Sequence, residues 1–90
     1  LQFNNSDEVL SIVNSENFAY IVLTTNNKFK VLYKSPEPEN ISDLKVIPIM
    51  KNDFPYILTR NGKPETDMFW DKLLYYDGTK YRNSNRQRIE

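Results

Sequence analysis

The run Pro64-Glu65-Thr66-Asp67-Met68-Phe69-Trp70-Asp71-Lys72-Leu73-Leu74-Tyr75-Tyr76-Asp77-Gly78-Thr79-Lys80-Tyr81-Arg82 decides how this chain is read. It holds the single Trp, three of the six Tyr and one of the two Gly. Buried aromatic area dominates core energetics, so Phe69, Trp70, Leu73 and Leu74 are expected to anchor the fold. Two readings compete. As a helix over 66–76, those four residues share an apolar face, Glu65, Asp67 and Asp71 lie toward the positive end, and Gly78 is the terminator. As a hairpin, residues 73–76 pair with 79–82 across Asp77-Gly78. The stretch 69–76 does not alternate, and that favours the helix.

Toward the N-terminus, residues 5–15 read as another helix. Asn5 and Glu8 have capping-box spacing, and Val9, Leu10, Ile12 and Val13 form a stripe at helical intervals. Residues 18–34 predict a hairpin. Its first arm, 18–24, is β-branched and aromatic, and its long apolar run suits an inner strand. Its second arm alternates Phe29, Val31 and Tyr33 against Lys28, Lys30, Leu32 and Lys34. Thr25-Asn26-Asn27 supplies the turn, because Asn tolerates positive φ. Pro36 and Pro38 break the pattern, and Glu37 and Glu39 are expected to keep 35–40 in solvent. Strands follow over 41–50 and 56–60, the second ending at Asn61-Gly62, read as a turn. A short last strand is expected at 80–82, and 83–90 reads as a polar basic tail.

These elements make one domain over 1–82, of α+β class: an antiparallel, hairpin-based sheet of about four strands with an N-terminal and a C-terminal helix. The alternative is a small all-β barrel. The chain opens with Leu1 rather than Met, as a processed product or an excised domain does. Its Asn, Lys, Ile and Tyr usage, with Ala19 the single alanine, matches AT-rich genomes.

Composition excludes several chemistries. The 90 residues include no Cys and no His, which removes disulfides, Cys/His zinc sites, imidazole bases and Ser-His catalysis. Two glycines in separate turns make no phosphate-binding loop. Asp67 and Asp71, flanked by Glu65 and Asp77, would share a helix face, but a solvated face is the ordinary reading of such a run. No enzyme activity, cofactor or metal is therefore expected. No apolar run reaches membrane length and no signal-peptide pattern is present, so a membrane is not an expected partner and the cytoplasm is favoured.

Two binding surfaces remain. Surplus aromatics beside arginine have the composition of a protein interface, here Arg60, Tyr75, Tyr76, Tyr81 and Arg82. Core demand is assigned to Phe18, Tyr20, Phe29, Phe69 and Trp70, which leaves those tyrosines near the surface. The expected function is a non-enzymatic module that contacts another protein as adaptor or inhibitor. The alternative is a single-stranded nucleic-acid binder using Lys28, Lys30 and Lys34 on one strand face with Lys80, Arg82, Arg86 and Arg88. A formal net charge of zero weighs against it.

Overall fold

Both stretches expected as helices are strands. The computed structural model describes residues 7–84, and among them no α-helix occurs. The strands are β1 (Glu8–Ser15), β2 (Phe18–Thr25), β3 (Lys28–Lys34), β4 (Asn40–Lys51), β5 (Phe54–Gly62), β6 (Phe69–Tyr76) and β7 (Tyr81–Asn83). They form two antiparallel sheets, ordered β1-β2-β3 and β4-β5-β6-β7. The fold is nearly all β, which corrects the α+β reading. The all-β alternative shares the strand content, but the described strands divide into two sheets instead of closing one barrel.

The physical reason is the same in both misread stretches. In β1, Leu10 is buried and Ile12 packs on the core, while Val9 and Val13 face out. Apolar residues on both faces of a strand reproduce a helical stripe. In β6, Leu74 and Tyr76 point inward while Phe69 lies in solvent. Alternation is further hidden because an inward position is occupied by Lys72, a residue rarely buried without a partner.

Three of the connections are two-residue turns, at Glu16-Asn17, Asn26-Asn27 and Asn52-Asp53, with all six residues at positive φ. Asn and Asp reach this region more readily than other non-glycine residues. Asn61-Gly62 is not a turn: both belong to β5, and the chain reverses through 63–68, where the Lys63 amide donates to the Met68 carbonyl at 3.1 Å. The last reversal spans Asp77 to Lys80 and is closed by the Tyr76–Tyr81 pair. Asp77 Oδ1 accepts from the amides of Thr79 and Lys80 at 2.8 and 2.9 Å.

The core lies between the sheets. Leu10, Ala19, Ile21, Leu23, Leu32 and Tyr33 meet Ile41, Ile57, Leu74, Tyr76 and Tyr81. A shortest dimension of 19 Å fits two stacked layers. Each fully buried Leu or Ile contributes roughly 1.5–3 kcal/mol. The aromatic core differs from expectation. Phe54 stacks on Tyr76 at 4.0 Å, Tyr81 tilts against both rings, and the Tyr81 hydroxyl donates to the Pro55 carbonyl at 2.5 Å. Trp70 is half-buried, and Phe29 and Phe69 are exposed.

Polar groups join the layers. The segment after β3, expected in solvent, is pinned at both ends. Ser35 exchanges two bonds with Ala19, its amide donating to the Ala19 carbonyl and its hydroxyl accepting from the Ala19 amide. The Glu39 amide donates to the Asn17 carbonyl at 2.8 Å. The Asn14 side chain acts as one more peptide group beside β4: its amide donates to the Ile41 carbonyl and its oxygen accepts the Ile41 N–H, both at 2.9 Å.

Candidate interaction surface

Three places have the chemistry to do something: a buried polar cluster, the outer face of the second sheet, and the outer face and free edge of the first.

In the buried cluster, Lys72 Nζ donates to both Glu39 carboxylate oxygens, at 2.8 and 3.0 Å. The Asn61 amide also donates to Glu39, and Thr59 donates to Asn61 at 2.7 Å. Glu39 is 3% exposed and Lys72 8%. The polar atoms of this cluster bond one another, and the bonds run from the inter-sheet connection into β5 and β6, so the cluster fastens the layers together. The nearby Tyr33 hydroxyl is buried and has no hydrogen-bond partner. Burial, and then the Glu39 carboxylate, push its ionisation well above the usual tyrosine range.

The outer face of the second sheet pairs part of its charge. Asp71 is opposite Arg60 in the β5–β6 register and accepts from it at 3.2 Å, and the Arg60 guanidinium lies over the Phe69 ring. Lys51 lies over Tyr75 at 4.7 Å. Arg82, opposite Tyr75, bonds Asp77. Backbone donation from Lys80, then the Arg82 guanidinium and the Thr79 amide, hold the Asp77 carboxyl down at about 2. The same contact raises the Arg82 guanidinium.

The predicted protein-contact set is therefore split. Arg60, Tyr75 and Arg82 share this face, whereas Tyr76 and Tyr81 are core residues. The acidic pairing also dissolves, because Asp71 is on a strand and Asp67 in a loop. Among the described residues, no group of three His, Cys, Asp or Glu side chains converges as a metal site does.

The first sheet differs. Cross-strand partners share a face, so its outer surface is built from Val9, Ser11, Val13 and Ser15, then Phe18, Tyr20, Val22 and Thr24, then Phe29, Val31 and Lys34. Phe29 is 77% exposed, Val9 45%, Val13 42% and Val31 39%. Within the strands this face carries one charge, Lys34, whose ammonium lies over the rings of Phe18 and Tyr20 at 4.9 and 5.8 Å. A patch with a single charge and exposed aromatic and branched side chains has the composition of an interface centre.

The expected lysine stripe is broken here. A bulge between the partners of Ile21 and Val22 adds one residue to β3, so its alternation reverses after Val31. Lys30, opposite the inward Leu23, and Lys28 sit on one side, and Lys34 sits on the other. Lys80 reaches β3 from the β6–β7 reversal, donating to the Val31 carbonyl at 3.1 Å. Arg86 and Arg88 lie outside the described residues. Sequence reasoning missed Val9, Val13 and Phe29 as surface residues. The available signal was the Val9-Ser11-Val13 alternation, outweighed by the helical reading of the same residues.

Among the described residues, no helix is long and apolar enough to cross a membrane. No family model, curated protein or solved structure matches this chain.

Proposed function

We propose that this chain is a non-catalytic protein-binding module whose contact surface is the outer face of the first sheet. One observation carries the reading: a three-stranded face that exposes Val9, Val13, Phe29 and Val31 and holds a single charge. Patches of that kind on a small domain mark association sites. Nucleic-acid binding is the weaker reading. It needs several cations tracking a phosphate chain beside open rings, and here the bulge divides the lysines while Lys34 covers Phe18 and Tyr20.

The test compares faces. Wild type, a Val9→Lys/Val13→Lys variant and an Arg60→Ala variant are used as bait in host extract, and retained proteins are identified by mass spectrometry. A partner retained by wild type and Arg60→Ala and lost by the valine variant supports the reading. A retained set unchanged by the valine substitutions overturns it. Steeply salt-sensitive binding of mixed oligonucleotides, abolished by Lys28→Glu/Lys30→Glu, would move the function to nucleic acid.

A further inference from the structure

The edge of the first sheet says more about the partner than its face does. β3 pairs with β2 alone and is an outer strand. Asn26 and Asn27, both left-handed, close a two-residue hairpin, so Thr25 and Lys28 form its hydrogen-bonded closing pair. Antiparallel ladders alternate from there. Leu23–Lys30 is the next bonded pair, while Phe29 and Val31, opposite Thr24 and Val22, aim their N–H and C=O groups away from β2. The Lys80 ammonium on the Val31 carbonyl independently shows that this group points outward and accepts a donor.

The charges that β3 itself bears are of one sign. Lys28, Lys30 and Lys34 lie along β3, and Lys80 stands against it. The ion pairs Arg60–Asp71, Lys72–Glu39 and Arg82–Asp77 lie on the strands of the second sheet, its last reversal and the connection leading into it. Side-chain character also differs across the edge: apolar Phe29 and Val31 on the outer face, Lys28 and Lys30 on the other. Lysines on an edge strand discourage indiscriminate pairing. They repel basic strands and must be desolvated against neutral ones, and the same charges select an acidic one.

We infer that β3 accepts an added strand from a partner protein, an extended segment that alternates apolar and acidic residues. Main-chain bonds form to Phe29 and to the Val31 amide. The partner's apolar side chains continue the exposed outer face, and its carboxylates lie beside Lys28 and Lys30. This is recognition by strand addition, in which the backbone gives affinity and alternate side chains give specificity. It rests on the protein-binding reading and specifies its partner.

The experiment titrates the full chain with an end-blocked seven-residue peptide alternating Val and Glu, following affinity by NMR and amide exchange at each residue. The same peptide N-methylated on alternate amides and a Val-Lys peptide are controls. The expected result is a tenfold or greater slowing of exchange at Phe29 and Val31. Binding is expected to weaken at least tenfold in Lys28→Glu/Lys30→Glu and to be lost with both control peptides. Equal binding of the N-methylated peptide reduces the contact to charge attraction and overturns strand addition. So does binding that leaves the Phe29 and Val31 amides unprotected, or absence of binding at millimolar peptide. If the peptide fails while the valine variant still loses its captured partner, strand addition falls and the protein-binding reading stands.

Discussion

The two sheets treat charge in opposite ways. The second sheet pairs much of its charge, with Arg60 on Asp71, Arg82 on Asp77 and even a buried lysine, Lys72, on Glu39. The first sheet leaves its outer face almost without charge and gathers lysines along one edge. Paired charge has little electrostatic reason to seek a partner. An apolar face beside a one-signed edge has both a desolvation and an electrostatic reason. On the proposed reading, recognition falls to the N-terminal layer and reinforcement to the C-terminal one.

The strongest way to break this comparison is the buried pair. Glu39→Ala or Lys72→Ala leaves its partner charged and buried, an expected loss of about 3–5 kcal/mol in urea unfolding. A loss under ~1 kcal/mol would mean that the cluster is not what fastens the layers. Next come Ile21→Ala and Leu74→Ala, fully buried in opposite sheets, each expected to cost roughly 2–5 kcal/mol. Similar losses at both sites make the core common property, whereas a marked asymmetry would separate the layers energetically.

Two buried tyrosines sharpen the contrast at about 1 kcal/mol. Tyr81→Phe gives up the bond to the Pro55 carbonyl and is expected to destabilise by that amount, while Tyr33→Phe, lacking a bonded hydroxyl, is expected to cost nothing. Both tyrosines have ionisation raised by burial above the ordinary 10.0. The unfolded chain releases these protons first, so their stabilising contribution is full below pH 10 and declines as alkali is added above it. Denaturant midpoints across that range report it, and a flat profile would contradict the burial of both groups. The smallest effect is expected on the outer face of the second sheet. A double-mutant cycle at Arg60 and Asp71 should give at most ~1 kcal/mol and shrink with salt.

Legibility of the sequence followed local geometry. The hairpin at 18–34 was readable because β-branched runs flank an Asn pair, and the strands over 41–50 and 56–60 carry the same composition. The flanking strands were not, because β1 is apolar on both faces and β6 hides its period behind Lys72. Only Glu39, distant in sequence and itself preceded by the solvent-signalling Pro36 and Pro38, makes a buried lysine reasonable there. The lysine stripe failed for a different cause: one extra residue in β3 turns Lys34 to the opposite side, and a bulge of that kind leaves no local mark. Aromatic residues were misassigned because ring count says how much core is needed without saying which rings supply it.

In both sheets the strands lie side by side in the order in which the chain makes them. Every ladder is therefore closed by a short excursion, and the entropy of bringing its ends together is small. Strand pairing is therefore more local than in sandwiches whose strands change sheets repeatedly. Stopped-flow refolding is accordingly expected to run at the fast end for an all-β chain.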